Sequence, residues 1–298
     1  MNKQTPIILV MLLVCSACFA QLTDLARLEY TYFPQKESDN SFRRFRTFIN
    51  VPVKLKEGVY LVPGIEYRNV NLKFEDETPF SREDLDRFQS FNVSLGYTQK
   101  INEKWRIGAQ LGTTVTSNFS TKSLSSSDYV HTGALYFIND KTKDGLDKPW
   151  RLILGGRFDT ESGRPFPLPF VNYYREFHPD WSFTLGVPKS NIKRYFGQER
   201  KHVLQSFVTL DGFYANIQDN VDVAIPAGEF ETAESISMLV ALFGVGYEYS
   251  FTKHLVFYFY AGHTIINDIR LRDGNRDDVF TINDQNTFYG RTGIKFKI

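Results

Sequence analysis

The sequence predicts an all-β fold: a transmembrane, antiparallel, up-and-down β-barrel of about fourteen strands. Three observations predict it. A two-residue period is sustained over many segments, short turns alternate with long polar loops, and the closing stretch "FYGRTGIKFKI" keeps that period to its last residue. A strand needs about 9–11 residues to cross a bilayer at a tilt, whereas strands of soluble proteins average about 5–6.

The first residues are of another kind. Lys3, the apolar run "PIILVMLLVC" and the small-residue stretch "SACFA" before Gln21 read as a secretory signal peptide over 1–20, leaving 21–298 as one barrel domain. Both cysteines, Cys15 and Cys18, fall inside it. A lipoprotein signal places Leu three residues before its modified Cys, and here that residue is Cys15, which argues against lipidation. The 35 Lys plus Arg balance 34 Asp plus Glu with no long run of one sign, so no basic face for nucleic acid is expected. Aromatics reach 15%, too rich for a disordered chain.

The upward strands are expected at 24–33, 59–73, 105–117, 149–158, 181–187, 202–217 and 255–266. The downward strands are expected at 43–55, 87–100, 129–139, 169–177, 190–196, 236–250 and 286–298. In "FNVSLGYTQ", Phe91, Val93, Leu95 and Tyr97 oppose Asn92, Ser94, Gly96 and Thr98. A soluble sandwich would turn such an apolar face inward, and a membrane barrel turns it to lipid. The connections decide between them. Short ones ("KEG", "NEK", "HPD", "GQERK", "FTKH") alternate with long ones at 34–41, 75–86, 118–128, 159–167, 219–234 and 267–286. Trp105, Trp150 and Trp181 each follow a turn on one side, as a single aromatic girdle requires. A tight turn at Pro188 and Ser190 splits "WSFTLGVPKSNIKRYF" into two strands; if that hairpin folded into the lumen, twelve would remain.

The polar faces place Arg46, Lys54, Glu66, Arg68, Arg106, Gln110, Arg151, Arg157 and Asp159 in the lumen, with both signs mixed. His131 is expected there too, as a hydrogen-bonding residue. Asp211 shares a face with Phe207 and Phe213, so either a bulge at Gly212 turns it inward or that strand has an apolar lumen face. The lumen binding candidates are therefore Arg46, Glu66, Arg68, Arg106, His131, Arg157, Asp159 and Asp211. No catalytic or metal-ligand constellation is expected. The cysteines lie in the leader, no Asn-His motif surrounds His131, and "DGNRDD" (273–278) lacks the twelfth-position carboxylate of a calcium loop.

The stretches "LGVPKSNIKRYF" and "VTLDGFYANI" (185–196 and 208–217), the leader ending "FAQ" and the finish "GIKFKI" resemble a family of Bacteroidota outer-membrane barrels of unknown function. That resemblance implies a barrel over most of the mature chain and brings no catalytic or binding residues with it. The expected function is a passive channel, solute binder or structural protein of the outer membrane, without catalysis or cofactor. Its expected partners are outer-membrane lipid, small solutes and the barrel-assembly machinery, which would engage the last strand. A soluble secreted adhesin or glycan binder is the main alternative, and an outer-membrane lipid-modifying enzyme the third.

Overall fold

Alternation fixes the wall. In the computed structural model, which describes residues 24–36, 40–121, 123–142, 144–160, 168–226 and 228–297, nearly every segment of period two is a strand. They are β1 (Ala26–Pro34), β2 (Ser41–Asn50), β3 (Val53–Lys56), β4 (Val59–Lys73), β5 (Arg87–Lys100), β6 (Trp105–Ser117), β7 (Tyr129–Asp140) and β8 (Trp150–Asp159). After these come β9 (Leu168–His178), β10 (Trp181–Val187), β11 (Lys189–Phe196), β12 (His202–Ala224), β13 (Phe230–Ser250), β14 (Leu255–Arg272), β15 (Asp278–Asn283) and β16 (Phe288–Phe296). β3 and β15 are short ribbons beside β4 and β14. The other fourteen pair antiparallel around a closed barrel, with β16 sealing the seam between β1 and β14. The signal peptide expected over 1–20 and the terminal Ile298 lie outside the described residues.

The expected strands all form, including the hairpin that turns at Pro188 to give β10 and β11. Two expectations are corrected. The strand set at 43–55 is interrupted at 51–52, where Pro52 has no N–H to give to a ladder, and resumes as β3 in the same register on β4. Lys54 pairs with buried Tyr60 and keeps the inward side, but is exposed there. The supposed loops 219–234 and 267–286 are largely strand, for β12, β13 and β14 continue upward and β15 adds to them. Apolar residues drive this extension. Ile217, Val223, Ala233, Ile236, Ile269 and Leu271 are all buried inside the upper barrel.

The outer face is apolar. Leu95, Leu111, Leu135, Leu185, Leu204, Leu239 and Phe259 are exposed on it, and paired residues share a face, so rung follows rung around the wall. Trp105, Trp150 and Trp181 open their strands at one rim, and Arg194 covers the Trp181 ring at 5.6 Å.

Inside, the barrel has a dry half and a wet half. The inward residues of β12, β13, β14, β16, β1, β2 and β4 close on one another above mid-height. There Phe33, Phe42, Val70, Phe88, Phe213, Ile236 and Ile269 form one core with Phe80 and Leu85, which the β4–β5 loop folds down over it. Phe80 bridges Val223 and meets the Phe280 ring edge-on at 5.4 Å. Burial of each such side chain contributes about 1.5–3 kcal/mol, so this lid is held chiefly by apolar packing. Most inward residues of β6 to β11 stay partly accessible, Thr116, Val130 and Ser182 being buried; Gln110, though it faces the lumen, is exposed.

A staple separates the halves near the top. β6 touches β12 across the barrel in a parallel bridge, Asn216 with Ser117. Thr116 Oγ1 donates to the Tyr214 carbonyl at 3.0 Å and Ser117 Oγ to the Asn216 carbonyl at 3.1 Å. The contact is available because β10 and β11 are short. β11 pairs with β12 only as far as Thr209, and above it the free edge of β12 is taken up by β6.

Candidate functional site

The lumen at mid-height is a charge cluster built by register. β2 carries Arg44 beside Glu29 of β1's neighbouring rungs, β16 brings in Arg291, and β12 reaches across from the other wall with Asp211. Arg44 grips Asp211 with both nitrogens, at 3.0 and 2.6 Å, and Arg291 Nη2 donates to the same carboxylate at 2.7 Å. Glu29 lies 3.7 Å from both guanidinium groups and accepts from Tyr258 OH at 2.7 Å and from Arg27 at 3.3 Å. Next to it Glu66 accepts from Arg46 at 2.7 Å and from Arg68. Bidentate, charge-assisted bonds of this kind fix geometry as well as energy.

A second cluster lies nearer the Trp rim. Glu248 Oε1 accepts from Tyr260 at 2.7 Å, Gln205 at 2.8 Å, and Lys193 and Lys295 at 3.1 Å each. Lys193 comes from β11 on the wet side and Lys295 from β16, so this carboxylate joins the two halves. A single buried carboxylate needs that many donors to balance its lost hydration.

Of the sequence candidates, Arg46, Glu66, Arg68 and Asp211 gather at mid-height and Arg106 faces inward lower down, donating to the Gly58 carbonyl at 3.1 Å. Arg157 and Asp159 hold inward positions near the upper end of β8, with Arg157 exposed and outside the cluster. For Asp211 the second alternative holds. The register of β12 runs unbroken past Gly212, and the strand's upper lumen face is apolar. His131 is a correction. It pairs with Thr113, on the same face as exposed Leu111, so it points out of the barrel and bonds Thr113 Oγ1 at 3.1 Å. Sequence reasoning missed Glu29, Arg44 and Glu248 as site residues. "LEYTY" and "GYEYS" carried the signal, a Glu flanked by outward-facing apolar and aromatic residues.

The staple has its own polar centre in the β6–β7 loop. Buried Asp128 accepts from Asn216 at 2.9 Å, from Gln218 at 2.8 Å and from the Ser125 amide at 2.8 Å. Burial acts to raise its pKa, but the Ser125 amide, Gln218 and Asn216 outweigh it and hold the carboxyl below its ordinary value. A carboxyl depressed on folding stabilises the staple above its unfolded pKa of about 3.9, and the contribution is lost as pH falls through the folded value. Asp128→Ala is expected to weaken the staple at pH 7 by about 1–3 kcal/mol, read as lower hydrogen-exchange protection at Asn216 and Gln218. The gap between variant and parent should shrink as pH falls below the unfolded value and through the lower folded one. A gap constant with pH would show that the carboxylate form does not matter.

The family described as "Domain of unknown function (DUF6268)" matches residues 18–297. Among solved structures the chain is similar to the NanC porin, at 11% identity and a TM-score of 0.41, over 92% of this chain and 100% of that one. It is similar to LpxR from Salmonella typhimurium at 9% identity and a TM-score of 0.40, over 92% and 100%. It is also similar to the outer membrane phospholipase of Salmonella typhi at 10% identity and a TM-score of 0.39, over 95% and 93%. At this level neither porin nor enzyme chemistry transfers to this chain. No curated protein matches it.

Proposed function

This chain belongs to the DUF6268 family, and we propose that it is an outer-membrane barrel that passes small anionic solutes through its wet half, without catalysis. The observation that carries the reading is the division of the lumen. The dry half is filled by an apolar core, so any passage runs between β6 and β11. Inward Arg106, Arg151, Arg157 and Lys189 line that side, Lys193 being committed to Glu248, against Asp140, Asp159 and Glu176, of which Glu176 is already held by Tyr174 at 2.7 Å. A cationic lining favours anions, since the field in a low-dielectric channel is weakly screened. The apolar outer belt and the Trp rim support the membrane reading over a soluble secreted protein. One observation bears on the lipid-enzyme reading: His131 meets a threonine hydroxyl on the outer face. Among the described residues no third group orients that imidazole, as an activated nucleophile requires.

Planar-bilayer recording of the refolded protein is expected to show steady single-channel steps in KCl, with a reversal potential displaced toward chloride. Arg151→Glu should move that potential toward potassium. Absence of conductance in several salts would overturn the passage.

A further inference from the structure

The short hairpin that releases β12 also lowers the wall. β10 and β11 turn over at Gly186–Lys189, and Leu210 of β12 donates to the Pro188 carbonyl at 2.8 Å. Beyond that bond β12 continues to Ala224, while among the described residues no strand fills the gap between β12 and β9. The drop lies within the apolar belt, for Val171 on one flank and Val208 and Leu210 on the other are exposed on the outer face. The tip is held close. Gly186 has φ +150°, and a Cβ there would meet the Val171 carbonyl at 1.7 Å, so the tip needs a glycine to sit against β9.

Below the tip, on the lipid side, the wall is hollowed. A depression of about 510 Å³ has small Ser190 and Ser206 at its base and Phe177, Phe183, Leu185 and Ile192 around it. On the lumen side of the same tip stands Lys189, its Nζ 4.8 Å from the Phe207 ring and 5.0 Å from the Tyr260 ring. No described carboxylate forms an ion pair with it. The two aromatic faces hold the ammonium at the opening without neutralising it.

We propose that this gap is a side entrance to the wet half for single-chain amphiphiles with an anionic head group, drawn from the outer leaflet. The chain would lie in the apolar depression, and the head would pass over Gly186–Lys189 to reach the ammonium. An anionic head and an acyl tail are what an apolar groove beside an uncompensated cation selects. The inference rests on the wet half being the passage, but it names a different door.

Residues 21–298 contain no cysteine, so in that segment Ser206→Cys can carry a single bimane label at the base of the depression. In phosphatidylcholine nanodiscs, a doxyl-labelled alkyl phosphate is expected to quench this label at about tenfold lower concentration than the corresponding alcohol. Lys189→Gln should remove that preference while the folded, heat-modifiable band persists, and Leu95→Cys labelled on the far wall should show no preference. Equal quenching by phosphate and alcohol, or a preference that survives Lys189→Gln, would overturn the entrance. Conductance separates the two readings. Steps without head-group preference leave the passage and remove the side door, and preference without steps keeps the amphiphile site and removes the passage.

Discussion

Asp211→Ala is expected to cost the barrel about 3–5 kcal/mol, because it leaves two guanidinium groups in the lumen without their shared carboxylate. Arg44 is the more exposed to this loss in energetic terms. Its side chain is only 1% accessible and its two-pronged bond to Asp211 has no substitute, since Glu29 stands 3.7 Å away. Asp211→Asn keeps the shape and one acceptor, and should fall between the parent and the alanine variant. The paired change Arg44→Met with Asp211→Leu removes both charges and fills their space apolarly. It should recover most of the loss, because Arg291 keeps Glu29 and the strand's neighbours Phe207 and Phe213 are already apolar. The urea midpoint of the refolded protein in micelles measures all three. A loss below about 1 kcal/mol for Asp211→Ala would mean that lumen water screens the pair as it does at a surface.

Deleting Phe296 to Ile298 is expected to abolish membrane assembly. Phe296 pairs with Ala26 on one side and Leu255 on the other, and its carbonyl accepts from the Leu25 amide at 2.7 Å. Removing it exposes unpaired backbone groups at the foot of the seam. In a lipid surrounding each such group costs several kcal/mol, because no water replaces the lost partner. The neighbouring Lys295 also anchors Glu248, so the cut loosens the lower charge cluster as well. We expect the same segment to serve as the edge that the assembly machinery engages. Wild-type levels of heat-modifiable protein in the membrane fraction after the deletion would refute the seam's importance. Normal refolding in detergent with failed assembly in cells would locate the defect in recognition instead.

The wall was legible because its information is local. Alternation from Val59 to Lys73 and from Arg87 to Lys100 needs no partner to be read, and even the split at Pro188 follows from turn chemistry. What escaped was whatever depends on register or on contacts across the lumen. Arg44 and Asp211 are 167 residues apart, and only the stagger of the strands between them brings them level. His131 shows the cost of a parity error. One rung of difference moves a side chain from lumen to lipid, and the Thr132–Gly133–Ala134 run beside it gives little apolar contrast to fix it. The upward extension of β12 to β14 escaped for a related reason. Their Asp, Asn and Glu residues look like loop, and the inward Val and Ile between them gain meaning only once Phe80 is seen to cover them.

Parity has a further consequence for the staple. In a ring of strands that alternate in direction, an even number closes antiparallel everywhere, and an odd number forces one like-directed contact. At the level of Asn216 the dry side is ringed by β12, β13, β14, β16, β1, β2, β4, β5 and β6, nine strands, and its closing contact with Ser117 is the parallel one. Five strands, β7 to β11, lie outside that inner ring. Hairpins come and go in pairs of strands, so gain or loss of one there leaves the inner ring odd and its closure unchanged. The width of the wet half is thereby free to vary through evolution, or by design, independently of the core that keeps the molecule folded.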